Sequence, residues 1–277
     1  MLNGIVAADR VRLNVARWPA GEPASGTLLI VHGLGEHIGR FGRFASRLNA
    51  WGWHVVGYDQ RGHGASDGAR GALPHAAALL DDLALAVDAV KASLPAPLVL
   101  FGDSMGGLIA ARLVASERAD RWRREVDGLV LASPALDPGM NAAQKLLLAV
   151  LSPLAPDLAV SSGLKPESIS RDPAVVAAYR DDPLVHDRVT ARLVRFIVDA
   201  GVHVRERASQ WTVPTLHVWA GADRCVAPGG SRDFARAAPR HVVQSHEFPA
   251  LYHEVFNEPE KDDVYGLLRR WLAALGR

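Results

Sequence analysis

Short apolar runs punctuate the chain: Thr27 to Val31, His54 to Tyr58, Leu98 to Phe101, Gly128 to Ala132, Thr215 to Trp219 and Val242 to Phe248. Each is nearly continuous in its apolar character and too short for a helix, the pattern of a strand covered on both faces in a parallel sheet. Most are separated by stretches with helical spacing, such as Phe41, Phe44 and Leu48, or Leu80, Leu83, Val87 and Val90. Such alternation predicts crossover units, and hence an α/β fold with a mainly parallel central sheet flanked by helices. The last segment reads as a helix, since Val264, Leu267, Leu268, Trp271, Leu272 and Leu275 all fall on one face at 3.6 residues per turn. Near the start, Val11 to Val15 alternates apolar and polar residues and reads as one edge strand, with Gly4 to Ala8 as its antiparallel partner.

The alternation stops between about Pro134 and Val204, where Pro, Gly and Ser interrupt several helix-like pieces and no strand is legible. This segment is expected to be a helical cap inserted after the sixth strand. It divides the chain into a core over 1–133, a cap over 134–204 and a return to the core over 205–277. Within it, Ala143 to Leu154 carries Leu146, Leu147, Leu148, Val150, Leu151 and Leu154. That is too many apolar positions for one buried stripe, so some are expected to face a cavity or a lipid surface, with Lys145 and Lys165 placed to reach head groups.

Composition narrows the class of ligand. Lys and Arg number 31 against 30 Asp and Glu, so no net field favours nucleic acid, and a small uncharged or modestly polar substrate is expected. Apolar residues make up 49% of the chain, enough for a sizeable core, and the lone Cys225 excludes an internal disulfide. The start, Met1 to Arg10, has no basic stretch followed by an apolar one, and the most apolar run, Leu146 to Leu151, falls well short of the roughly 20 residues of a membrane span. A cytoplasmic, unprocessed chain is expected, peripheral to membranes if the cap touches them.

Gly102-Asp103-Ser104-Met105-Gly106 fits G-x-S-x-G, follows an apolar run and opens a helical stretch, Leu108 to Ala115. A serine on such a strand-to-helix turn stands exposed above the sheet, and the helix N-terminus aims the Met105 N–H at an oxyanion. A serine hydroxyl becomes a nucleophile only when a base takes its proton, so a histidine and an orienting carboxylate must follow. Asp223, just after the run ending at Trp219, and His253, just after the run ending at Phe248, have the required order. Asp137 competes for the acid role, because it follows the strand run ending near Ala132. Position favours His253 as the base among eleven histidines, whereas His54 and His217 lie in or at the start of strand runs and His186 and His203 in or near the cap. The loop His32-Gly33-Leu34-Gly35-Glu36-His37 should supply the second oxyanion donor, the Leu34 N–H.

Other chemistries find little support. His32, Glu36 and His37 have neither H-E-x-x-H nor H-x-x-E-H spacing, and no dinucleotide or P-loop fingerprint occurs, so neither metal nor cofactor is expected. Asp59 and Arg61 read as braces for their loop, and Cys225 as a small packed residue near the histidine.

With the loop His32 to His37, the segment Gly57 to Ser66, the motif Gly102 to Gly106, Ala222-Asp223-Arg224, Asp182-Pro183-Leu184-Val185 and Tyr252-His253-Glu254, the chain resembles the monoacylglycerol lipase family. The resemblance implies the α/β-hydrolase fold, a triad of Ser104, Asp223 and His253, oxyanion donors at Leu34 and Met105, and a lid over an acyl pocket. It implies hydrolysis of monoacylglycerols or similar lipid esters. The same grouping holds lysophospholipases, general carboxylesterases and serine aminopeptidases, and the fold also serves cofactor-free haloperoxidases and non-catalytic receptors. An acidic cap residue such as Glu167 or Asp181, poised for an ammonium group, would favour the aminopeptidase.

Overall fold

The computed structural model describes residues 4–275; Met1 to Asn3, the first residues of the segment read above for a leader, lie outside them. Each of the six short apolar runs named first becomes a strand. In chain order the elements begin with β1 (Ile5–Val6), β2 (Arg12–Leu13), β3 (Val15–Trp18), β4 (Gly26–Val31), α1 (Gly42–Asn49), β5 (Trp53–Tyr58) and α2 (Ala78–Lys91). There follow β6 (Leu98–Asp103), α3 (Met105–Val114) and β7 (Gly128–Ala132). The inserted segment holds α4 (Ala142–Leu154), β8 (Ala159–Ser161), α5 (Pro173–Arg180), β9 (Arg188–Thr190) and α6 (Ala191–Glu206). The chain then returns through β10 (Thr215–Ala220), α7 (Pro228–Ala237), β11 (Val243–Phe248) and α8 (Lys261–Leu275).

Seven strands form one sheet in the order β11-β10-β7-β6-β4-β5-β3, parallel throughout except for β3, which runs antiparallel to β5. Alternate residues of its buried strands feed two apolar layers. Leu29, Val31, Leu100, Leu129 and Leu131 face the layer that includes α2, α3 and α6. Leu28, Ile30, Val99, Phe101 and Val130 face the one built with α1 and α8. A strand buried on both faces needs apolar residues at both parities, which is why these runs do not alternate.

Three expectations need correction. Val11–Val15 is not one strand: Arg12–Leu13 pairs with Ile5–Val6, whereas Val15 onward pairs with β5. Between them Asn14 is captured by another loop, its Nδ2 donating to Asp59 Oδ2 at 2.8 Å and its N–H to Ser66 Oγ at 2.8 Å. The insertion therefore follows the seventh strand along the chain rather than the sixth. The segment expected to lack strands also contains β8 and β9, paired antiparallel. Each is three residues long, too short for an alternating pattern to register.

The insertion has two surfaces of different character. α6, capped by Thr190, presses Leu193, Phe196, Ile197, Ala200 and Val204 into the same apolar layer as α3. α4 opens with a reciprocal capping box, in which the Gln144 N–H donates to Asn141 Oδ1 and the Asn141 N–H to Gln144 Oε1, both at 2.9 Å. Only Leu148 of this helix is buried; Leu146, Leu147, Val150 and Leu154 are 68%, 56%, 46% and 77% exposed.

Candidate active site

Ser104 joins β6 directly to α3 and adopts φ 53° and ψ −119°. A non-glycine residue there is strained by roughly 1–3 kcal/mol, a strain held by its surroundings. The Ser104 N–H donates to Ala132 O at 2.9 Å, and Ser104 O accepts from Leu108 N and Ala135 N at 3.1 and 2.9 Å. The turn also depends on close passage of α3 over β4, for a Cβ on Gly106 would lie 1.9 Å from Val31 O. As the first residue of α3, Met105 has no partner for its N–H within the helix.

Parallel strands carry the remaining candidates to the same end of the sheet, where connections after carboxyl ends build sites. After β10, Asp223 accepts the N–H groups of Cys225 and Val226 on Oδ1, at 2.7 and 3.0 Å. Its Oδ2 lies 2.7 Å from Nδ1 of His253, which follows β11 and is 5% exposed. A carboxylate there makes Nδ1 the protonated nitrogen and leaves Nε2 with a lone pair. Burial opposes charge on His253, but the adjoining Asp223 carboxylate prevails and holds the imidazolium well above the ordinary histidine range. Asp137 makes no hydrogen bond to His253; its Oδ1 accepts the Gly139 N–H at 2.8 Å and its carbonyl the Ala227 N–H at 2.9 Å. Among the described residues, no hydrogen bond joins the Ser104 hydroxyl to His253.

The loop after β4 reaches Ser104 directly: a Cβ on Gly33 would lie 3.2 Å from Ser104 Cβ. Its shape is held from two sides. The Gly33 N–H donates to Glu36 Oε1 at 2.6 Å, leaving Leu34 as the next amide in the loop. From the cap, the His186 N–H donates to Gly35 O at 2.9 Å, and Asp182 Oδ2 meets His37 Nε2 at 2.8 Å. Gly35 has φ +78°, and a Cβ there would meet His186 O at 2.2 Å, so glycine is required twice over.

His32, Glu36 and His37, weighed above as metal ligands, are each engaged separately. His32 contacts Gly33 O through Nδ1 at 2.8 Å and accepts the Gln60 N–H on Nε2 at 2.9 Å. Asp223, Cys225 and His253 do bring ligand atoms within 4.8 Å of one another. The Asp223–His253 hydrogen bond accounts for two of them, and burial pushes the Cys225 thiol up to about 11, so it is protonated at neutral pH. Asp59 and Arg61 act as braces: Asp59 accepts the N–H groups of Ile38 and Ala65 at 2.8 and 2.9 Å, and Arg61 forks onto Asp82 at 2.6 and 2.7 Å. In the cap, Glu167 pairs with Arg180 on the surface and Asp181 is exposed.

A group that motif reading overlooked lies behind Ser104. Glu36, Asp103 and Glu254 are buried together around Arg40. Asp103 occupies the unspecified position before the serine in G-x-S-x-G, and Glu254 stands 214 residues from Arg40, so no local pattern links them.

A family model described as Hydrolase_4, serine aminopeptidase S33, matches residues 22–260. A monoacylglycerol lipase of Mycolicibacterium smegmatis is 34% identical over 95% of this chain and 94% of that protein. Phospholipase YtpA of Bacillus subtilis is 31% identical over 91% and 96% respectively. The crystal structure of Paleococcus ferrophilus monoacylglycerol lipase superposes with a TM-score of 0.84 at 32% identity, covering 95% of this chain and 99% of that one. With the model matched over most of its length and relatives above 30% identical covering nearly all of it, the chain belongs to the Hydrolase_4, serine aminopeptidase S33, family of α/β-hydrolases, with monoacylglycerol lipases among its relatives.

Proposed function

We propose that the protein is a carboxylic ester hydrolase that cleaves monoacylglycerols or similar lipid esters through an acyl-enzyme on Ser104. The observation that carries the proposal is the convergence of a strained serine and an Asp223-bound His253 at one end of the sheet. His253 Nε2 takes the Ser104 proton as Oγ attacks the ester carbon, and Asp223 stabilises the imidazolium. The N–H groups of Leu34 and Met105 receive the oxyanion. His253 then protonates the departing alcohol, and water activated by the same nitrogen releases the fatty acid. A serine and histidine not yet hydrogen-bonded without substrate are ordinary for this chemistry, and the bond forms in the Michaelis complex.

Lipid specificity is supported by the relatives named above and by the cap. Segment 134–204 acts as a lid, and the exposed Leu146, Leu147, Val150 and Leu154 of α4 form the face that meets lipid. No helix among the described residues is long and apolar enough to cross a membrane. The double variant Leu147→Ser/Leu154→Ser should bind phosphatidylcholine vesicles at least about tenfold more weakly, on the order of 0.8 kcal/mol per buried CH₂ lost. Its kcat on a water-soluble short-chain ester should be unchanged. Equal vesicle sedimentation of variant and wild type would refute this role for α4.

The deciding assay compares kcat/KM on 1- and 2-monoacylglycerols of varied chain length with p-nitrophenyl butyrate, a lysophospholipid and an aminoacyl amide. A maximum on medium or long monoacylglycerols supports the proposal. A maximum on the lysophospholipid would favour the reading suggested by the phospholipase relative, with the same triad. The acid limb of the pH profile is a further expectation. His253 must be neutral to accept the Ser104 proton, and Asp223 raises its pKa, so kcat/KM should climb with pH through a midpoint above the ordinary histidine value of about 6.5. A midpoint below that value would count against His253 as the base.

A further inference from the structure

Three carboxyl groups and one guanidinium are packed behind Ser104. Glu36, Asp103 and Glu254 are 5%, 7% and 6% exposed. Glu36 accepts the Gly33 N–H at 2.6 Å and Arg40 Nη1 at 2.5 Å. Arg40 Nη2 donates to Glu254 Oε2 at 3.0 Å, and Asn257 Nδ2 donates to the same oxygen at 2.7 Å. Asp103 differs from both glutamates, since its carboxyl has no hydrogen-bond partner among the described residues. It faces a cavity of about 20 Å³ walled by Phe41, Phe44, Phe101, Phe256 and Asn257. That is room for one water, which needs at least two polar partners. Arg40 is shared by two glutamates, so only the Asp223-bound His253 and a share of that guanidinium can offset a third negative charge beside phenylalanines, and a buried carboxylate without a hydrogen-bonded partner is neutralised by a proton instead.

We propose that Asp103 is a positioning residue that works as a neutral acid, its hydroxyl donating through one water in this cavity to the Glu36 carboxylate and so steadying the Gly33–Leu34 backbone that receives the oxyanion. The role of Leu34 in it rests on the function proposed above. Proximity supports it: a Cβ on Gly33 would lie 2.9 Å from Glu36 Oε1, 3.2 Å from Ser104 Cβ and 3.6 Å from Asp103 Oδ2. Burial raises the Asp103 pKa well above the carboxylate range; Glu36 and Glu254 raise it further, while His253 and Arg40 oppose. Cys225, after β10, and Tyr179, on α5, complete the titratable surroundings; burial raises the pKa of both, so they are neutral at neutral pH. Ionisation of Asp103 would remove the donor to Glu36 and set a like charge behind the developing oxyanion.

The sign of the pH effect follows from linkage. The folded state keeps a proton on Asp103 that the unfolded chain loses near the ordinary value of about 3.9, so the stability of the wild type declines as pH rises from there toward the folded pKa. Asp103→Asn keeps the shape and neutrality of the acid but cannot ionise. Its melting temperature should therefore gain on the wild type progressively above about pH 4. At alkaline pH its kcat/KM on p-nitrophenyl butyrate should stay about tenfold above that of the wild type, whose rate falls as Asp103 ionises. In Ser104→Ala, infrared spectra at neutral pH should show the carbonyl band of a protonated carboxyl, absent from Ser104→Ala/Asp103→Asn. Parallel alkaline limbs in wild type and Asp103→Asn, or no protonated carboxyl at neutral pH, would overturn the proposal. The infrared reading needs only Ser104→Ala if Asp103→Asn does not fold, and it does not depend on turnover. Failure of the proposed function would appear separately, as full activity in Ser104→Ala.

Discussion

Replacing Ser104 by alanine should lower kcat on a medium-chain monoacylglycerol by about 10⁶-fold, the scale seen when a triad serine is removed. The residue is held at φ 53° between β6 and α3, with backbone bonds to Ala132, Leu108 and Ala135. None of those bonds involves its hydroxyl, so the variant keeps the elbow and loses only the nucleophile. Substrate binding and melting temperature should therefore change little, which separates a chemical effect from a folding one. Ser104→Gly tests the strain: glycine tolerates this backbone, and the variant should melt a few degrees above Ser104→Ala despite the extra freedom it gives the unfolded chain. Residual turnover within tenfold of wild type in Ser104→Ala would remove the serine from the reaction.

The largest expected effect on stability belongs to Gly106→Ala. A Cβ at that position would lie 1.9 Å from Val31 O, 2.4 Å from Val31 C and 2.5 Å from His32 O, all backbone atoms of β4 or the residue after it. No side chain can swing aside, so either α3 lifts from the sheet or β4 shifts within it. Overpacking of this kind belongs to the exceptional class of substitutions, with a loss of about 4 kcal/mol or more. Denaturant unfolding should show a large fall in midpoint, and any folded protein should have lost the contact between Ser104 and the loop at Gly33. Gly229→Ala is the control, because its Cβ would meet nothing within 4 Å on α7. Reduced freedom of its unfolded chain should make it more stable by about 0.4–1 kcal/mol. Equal midpoints for the two variants would show that α3 does not pack on β4 as described.

Much of the architecture is legible locally because each element writes its own geometry into the chain. Val99 and Leu100 point to opposite layers of one sheet, so a strand covered twice must be apolar at every position. Val264, Leu268, Trp271 and Leu272 recur at the helical period because one stripe of α8 is buried. The elbow is equally local, since strand, strained serine and helix N-terminus are contiguous. Local reading fails where tertiary contacts override the pattern. Asn14 breaks an alternating run because Asp59 and Ser66 hold it, and β8 and β9 are too short to show a period. Within α4 the sequence shows an excess of leucines, but which of them are exposed depends on what the helix packs against.

By itself, then, the sequence determined the six doubly covered strands, the core helices that flank them and the residue at the turn between β6 and α3, because burial writes an unbroken apolar run or a helical period into a few consecutive residues. Tertiary structure alone decided that His253 meets Asp223 rather than Asp137, and that Asp182 and His186 of the cap brace the loop beside Ser104. It also gathered Glu36, Arg40, Asp103 and Glu254 behind Ser104. Each of these contacts joins loops brought together by the order of strands in the sheet, and strand order depends on long-range packing that leaves no period in the chain.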